Sequence, residues 1–178
     1  MSVQDGEERG ELSSEELVEV VDERGTVLRV VTRAEMRAGR LRHRAVFIVV
    51  LSYDGRILVH LRSGGKDLWP SRWDLAAGGV VGAGEAWEQA ARRELAEELG
   101  VEEPALEHLG GGAYGDDDVE LLGEVFMVVS DGPFHFSDGE VVEARTVDRR
   151  ELDAMVASLP FCPDSIALAL PFVTNRIS

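Results

Sequence analysis

A single cysteine, Cys162, stands among the 178 residues, which excludes an internal disulfide and leaves no partner for a cysteine-based zinc site. Long apolar runs are missing as well. The longest, residues 45–51, falls far short of the ~20 residues that span a bilayer, so no membrane partner is expected. No basic segment followed by an apolar one opens the sequence, and a reducing cytoplasmic setting is the expectation. Basic residues are few: 18 Lys and Arg against 34 Asp and Glu give a formal charge of −16. A surface of that sign repels a phosphate backbone at long range, which argues against a nucleic-acid polymer as partner. A small phosphate ester stays admissible if metal cations stand between the two sets of negative charge. The four histidines, His43, His60, His108 and His135, show no metal-ligand spacing to one another and read as structural.

What is present suits one globular domain with a real core: 44% of residues are hydrophobic and 29% charged. Residues 1–16 are polar and acidic and read as a disordered tail, ahead of a single domain over 17–178. The β-rich runs 17–21 and 27–31 flank a turn and predict an N-terminal hairpin, part of an addition covering 17–40. Thr32 is placed to cap a short helix over 33–38, with Glu35 completing a capping box. Residues 45–51, apolar throughout, predict a central strand, joined to a strand over 56–61 through Asp54-Gly55. A loop rich in Gly, Lys, Pro and Trp follows over 63–72, then a short strand over 74–77 and a glycine-rich turn over 78–84. The clearest helix runs from Glu85 or Ala86 to Leu99 and stops at Gly100. Further strands are predicted near 105–109, 119–129 and 141–147. Asp148 is placed to cap a helix over 149–157, and Asp164 a last helix that must bend or break at Pro171. The mixed order of strands and helices describes an α/β chain: a sheet covered by helices, in one domain.

Chemistry enters in the helix ending at Gly100. At about 100° per residue, Glu94, Glu97 and Glu98 fall within an arc of roughly 100°, together with Trp87 and Ala91. Leu95 and Leu99 border that arc, so the carboxylates share the side that an apolar pattern turns inward. The nearby Arg92 and Arg93 are read as pointing elsewhere on the wheel. Like charges four apart destabilise a helix by a few tenths of a kcal/mol at the surface, and burial raises the cost. A hard divalent cation taking oxygen ligands offsets it, and Mg2+ fits best because it keeps waters and shares its shell with substrate phosphates. Gly78 and Gly79 let the backbone approach such an ion, with a carbonyl as a further ligand. No Gly-Lys-Ser/Thr follows the glycines, so this is not a Walker loop.

Gly79, Glu85, Arg93-Glu94-Leu95, Glu97-Glu98 and Gly100-Val101 stand at fixed spacings that match the Nudix box without a departure. The chain thus resembles a Nudix hydrolase, a family that cleaves a diphosphate linked to another moiety. The resemblance implies a Nudix-type α/β/α sandwich with a mixed β-sheet, to which the N-terminal hairpin is an addition. It implies Glu94, Glu97 and Glu98 as metal-facing carboxylates, the Gly78 carbonyl as a backbone ligand, and Mg2+ (Mn2+ as substitute) as cofactor. Glu85 and Arg93 occupy positions that the family uses for a structural ion pair bracing the loop that carries Gly79 against the helix. The segments 41–47 and 66–74 are similar to the branch related to isopentenyl-diphosphate isomerase. No cysteine occurs in 73–79, where that isomerase carries its own, and Cys162 reads as a packed thiol.

The implied reaction is hydrolysis of a phosphoanhydride by metal-activated water, on a nucleoside diphosphate derivative or a related diphosphate metabolite. Glu94 or an acidic residue from a later loop would serve as base. Of Asp116, Asp117, Asp118, Glu120 and Glu140, Glu140 resembles a recurrent family position just before a late strand, and 116–118 read as a solvated turn. Arg62, Lys66 and Arg72 are the candidate phosphate-binding cations. Trp69 and Trp73 would stack on a base or pack an isoprenoid, or belong to the core. Specificity is assigned to the segments 63–72, 110–118 and 130–138, and a homodimer would pair through the N-terminal hairpin. The alternatives are an isopentenyl-diphosphate isomerase-like enzyme and a catalytically silent nucleotide-binding module.

Overall fold

A computed structural model describes residues 15–136 and 139–178. The proposed tail falls almost entirely outside them, as do residues 137 and 138 of the 130–138 segment. Nine strands among the described residues form one mixed sheet: β1 (Leu17–Val21), β2 (Val27–Thr32), β3 (His43–Leu51), β4 (Ile57–Arg62), β5 (Trp73–Asp74), β6 (Ala77–Val80), β7 (Glu107–Gly115), β8 (Glu120–Val129) and β9 (Val141–Val147). The helices are α1 (Arg33–Ala38), α2 (Trp87–Leu99), α3 (Arg149–Ser158), α4 (Pro163–Leu168) and α5 (Leu170–Val173).

β3 is the hub, as its unbroken apolar run requires. It runs parallel to β8 from His43↔Leu121 to Leu51↔Val129 and antiparallel to β6 from Ala45↔Val80 to Ile48↔Ala77. Its alternate side chains face opposite layers. Val46, Ile48 and Val50 pack with Ala90, Ala91, Leu95 and Leu99 of α2. Ala45, Phe47, Val49 and Leu51 pack with Leu152 and Met155 of α3, Leu168 of α4 and Val173 of α5. The result is an α/β/α sandwich. A third cluster, Val18, Val20, Val31, Met36 and Val80, fastens the N-terminal hairpin and α1 to the sheet.

β3 and β4 meet only at Leu51↔Ile57, beside the 52–56 turn, and then diverge. β4 turns away to pair along its length with β9 and, at its far end, with β5. The two strands form a wedge, closed at the turn and open at Ala45 and Arg62.

Several local expectations need correction. The expected strand over 74–77 is two pieces, β5 and β6, and Gly78 and Gly79 lie in strand β6, paired with Phe47 and Val46, rather than in a turn. Most of 110–118, expected as a specificity loop, is β7, held antiparallel against β8. Gly111 is admitted there by close packing: a Cβ would lie 2.7 Å from the Glu124 carboxyl carbon. Thr32 accepts from the Glu35 N–H at 3.1 Å, but the Glu35 carboxylate pairs with Arg29 at 3.2 Å and closes no capping box. The last helix is capped at Cys162, not Asp164, because Pro163 takes the first helical position, and the chain breaks at Ala169 into α4 and α5.

Candidate active site

The α2 helix begins where the Gln89 side chain accepts the Ala86 N–H at 3.0 Å. It ends at Gly100 in the left-handed conformation, with the Val101 N–H closing back onto the Leu95 carbonyl at 3.2 Å. Between these caps the helix lies on β6, and the contact is made by carboxylates. A Cβ on Gly79 would sit 2.6 Å from the Glu94 carboxyl carbon, so the absent side chain is the space in which Glu94 rests. One turn on, Glu98 accepts the Gly78 N–H at 3.1 Å. Both carboxylates are buried, whereas the Glu97 side chain is 59% exposed. Two of the three grouped acids therefore turn inward and the third lies at the rim.

Arg93 does not point away, as the wheel suggested. It stands one turn before Glu97, and its guanidinium curls over this face. It donates to Glu85 through two bonds of 2.8 and 2.9 Å, to Glu94 at 2.7 Å, to Glu97 at 3.4 Å and to the Val80 carbonyl at 3.1 Å. Glu85 in turn accepts the Gly82 N–H at 2.9 Å, so one guanidinium ties the β6–α2 connection to the helix. These partners hold the Glu85 carboxyl below its ordinary range, the Arg93 hydrogen bonds acting most strongly. Burial pushes Glu94 up against the opposing pull of Arg93. Burial likewise pushes Glu98 up to about 8, with Lys66 opposing and Glu94 adding to the shift.

The three candidate phosphate cations are placed differently. Lys66 reaches the carboxylates: its ammonium bonds Glu140 and stands 3.6 Å from Glu98. Arg62 is spent on its own loop, donating to the Leu68 carbonyl at 2.8 Å and the Trp69 carbonyl at 3.3 Å, and facing Asp74 at 3.6 Å. Arg72 donates to the Phe161 carbonyl at 3.1 Å and lies over the Trp69 ring. Among the alternative bases, Asp116 organises its own turn by accepting from Tyr114 and from the N–H groups of Asp118 and Val119. Glu120 pairs with Arg40 and Arg42.

A cleft opens in the mouth of the β3–β4 wedge, floored by Gly78 and Gly79 and lined also by Lys66, Trp69, Asp74 and Asp164. Arg33 and Arg37 of α1 reach it as well, sharing Asp67 at 3.6 and 3.1 Å. Sequence reasoning missed this pair. Their i, i+4 spacing on a short helix was the available signal, but nothing in it announced that the N-terminal addition folds over the cleft. Asp164 is driven up to about 6 by burial and then by Asp74. Trp73 belongs to the core, and the Cys162 thiol is fully buried, burial pushing it up.

The donor chemistry of Glu94, Glu98 and the glycine backbone is all hard oxygen, buried and cradled, and suits a hard divalent cation. Among the described residues no three acidic, imidazole or thiol groups already converge on one point. Glu94 and Glu97 face Arg93, and Glu98 and Glu140 face Lys66.

The sandwich presents carboxylates from one helix to a strand-borne glycine pair, the arrangement that the sequence resemblance implied for a diphosphate hydrolase. The NUDIX domain model matches residues 41–164, and the chain belongs to the Nudix hydrolase family. It is 42% identical over 165 residues to the Escherichia coli K12 Nudix hydrolase YfcD, itself uncharacterised, covering 92% of this chain and 90% of YfcD. A crystal structure from Deinococcus radiodurans has the same fold, with TM-score 0.73 at 24% identity over 90% of this chain and 99% of that one. So does the NUDIX domain of Shewanella oneidensis NrtR complexed with ADP ribose, with TM-score 0.56 at 21% identity over 77% and 94% of the two chains. No helix among the described residues is long and apolar enough to cross a membrane.

Proposed function

We propose that this protein is a Mg2+-dependent hydrolase, with Mn2+ as substitute, that cleaves the phosphoanhydride of a nucleoside diphosphate derivative or a related small diphosphate metabolite in the cytoplasm. The observation that carries the reading is the burial of Glu94 and Glu98 against Gly79 and Gly78, two glycines that also line a cleft together with Lys66, Arg33 and Arg37. Such burial of acidic groups is costly unless cations compensate it. Glu94, Glu97, Glu98 and the Gly78 carbonyl would hold the metal, which supplies charge neutralisation for the diphosphate and acidifies water. Lys66 is the phosphate ligand among the three sequence candidates. Arg62 and Arg72 act instead by fixing the 63–72 loop. Glu140, at the cleft end of β9, is the candidate base. Arg93 and Glu85 position Glu94 without touching the substrate. The diphosphate bound by the NrtR domain belongs to the substrate class envisaged here. An isomerase reading lacks its catalytic cysteine: none occurs in 73–79, and Cys162 is buried. A homodimer would pair through β2 of the hairpin.

The test is product formation across a nucleotide and diphosphate panel, identified by mass spectrometry, with Mg2+ and with chelator. Glu98→Gln is expected to lower turnover on the best substrate by ~10²-fold or more. Equal turnover by the two proteins would remove the carboxylate site from the reaction.

A further inference from the structure

Of the 18 basic residues in this chain, 17 are arginine and one is lysine, and that lysine is Lys66. It lines the cleft and is also the cation that faces both Glu98 and Glu140. Its side chain is 15% exposed, bonded to Glu140 and 3.6 Å from Glu98, whose own side chain is 7% exposed. The segments that carry Lys66 and Glu140 are joined by the Ser63 N–H donating to the Glu140 carbonyl at 2.8 Å. The ammonium is thereby delivered to the carboxylates by the backbone and is not a free surface charge.

We propose that Lys66 is an exchangeable counter-ion, which holds Glu98 and Glu140 until a divalent cation takes the Glu98 oxygens and which is then transferred to the substrate's phosphate. The inference rests on the metal-dependent reading above. An ammonium and a dication compete for the same oxygens, and at equal distance the dication attracts each carboxylate twice as strongly. Release costs lysine little, because it is a point charge on a flexible stem. An arginine in its place would grip carboxylates through a rigid fork. Once displaced, the ammonium remains tethered at the cleft, where the diphosphate is the incoming anion. Metal and phosphate binding are then coupled through one side chain, and each must strengthen the other.

The probe is Mn2+ alone, titrated into the full chain and followed by the paramagnetic resonance of the free ion. Lys66→Met is expected to bind Mn2+ about tenfold more tightly than wild type, and Lys66→Arg more weakly than wild type. With saturating Mn2+, the inhibition constant of methylenediphosphonate should rise about tenfold in Lys66→Met. A lysine acting only as a strap between loops would lower the melting temperature without producing that order of metal affinities. The wild-type protein gives a second measurement that needs no variant. Its single ε-amine should be acylated several-fold faster with Mn2+ than with chelator, as read by peptide mass spectrometry. Unchanged or weaker Mn2+ binding by folded Lys66→Met, or labelling that Mn2+ leaves unchanged or slows, overturns the exchange. Failure of wild type to bind Mn2+ at all overturns the metal-dependent reading with it.

Discussion

Gly79 and Glu94 occupy one volume: the hydrogen that glycine carries in place of a side chain leaves the opening filled by the Glu94 carboxyl group, whose carbon would lie 2.6 Å from a Cβ there. At the neighbouring Gly78 the obstacle is different. A Cβ would lie 3.0 Å from the Val46 carbonyl carbon and closer still to its oxygen, and β3 backbone cannot rotate aside. Gly79→Ala is expected to keep the fold and lose about 10²-fold in turnover, since a shift of ~1 Å in a site group has that effect. Gly78→Ala is expected to be the less stable of the two, because it parts β6 from the hub strand. Urea unfolding and steady-state kinetics on both variants separate the effects.

Arg93 concentrates three carboxylates and a carbonyl on one guanidinium, and Arg93→Ala leaves the buried Glu94 without its cation. Breaking a fully buried pair costs about 3–5 kcal/mol. The Arg93 side chain is 31% exposed, so solvent screening reduces the expected loss to about 1–3 kcal/mol. In a chain of this size that lowers the melting temperature by roughly 3–10 °C. Lys in its place restores less than half, because it cannot serve Glu85 through two parallel bonds while reaching Glu94.

His60 lies buried in β4, and burial holds its pKa down to about 4, with Asp74 opposing. The unfolded chain takes up a proton below about pH 6.5, which the folded chain refuses until about pH 4. Stability from the neutral imidazole is therefore complete above pH 6.5 and drains as pH falls toward 4. Between pH 7 and 4.5, His60→Gln should lose about 2–3 kcal/mol less than wild type. Parallel urea titrations at the two pH values measure the difference, and equal losses would remove His60 from the acid sensitivity.

Cys162 caps α4 with its thiol enclosed, and its N–H donates to the Trp73 carbonyl at 2.8 Å. Iodoacetamide at pH 8 is expected to leave native protein unmodified and fully active, and to alkylate one thiol after denaturation. Loss of activity in step with alkylation of the native chain would return a cysteine to the chemistry.

The legible parts of this molecule are those whose signal is local. The Asp22–Thr26 turn, the Thr32 cap and Gly100 each fix an element through bonds within a few residues, and the hairpin, α1 and the end of α2 stand where the sequence put them. The apolar run of β3 declared its central place. What was hidden depends on partners far along the chain. Gly110–Gly112 have little strand preference, and only β8, with Phe172 and Leu168 packed over it, makes them a strand. The site divides in the same way. Spacing alone gathered Glu94, Glu97 and Glu98, but it could not show that Glu97 stays at the rim. Nor could it show that Arg33, Arg37 and Asp164 converge from opposite ends of the chain.

The single pairing of Leu51 with Ile57 makes the β3–β4 wedge a lever. From that pivot to Arg62 the β4 arm is about 17 Å long, at ~3.3 Å per residue, so a rotation of about 5° would move its tip by ~1.4 Å. The Ser178 N–H donates to the Gly55 carbonyl at 2.9 Å, and the Ser178 carbonyl accepts from Arg149 at 2.8 Å, which braces the fulcrum from behind. A change at that braced turn would thus be felt at the mouth, at the opposite end of the arms.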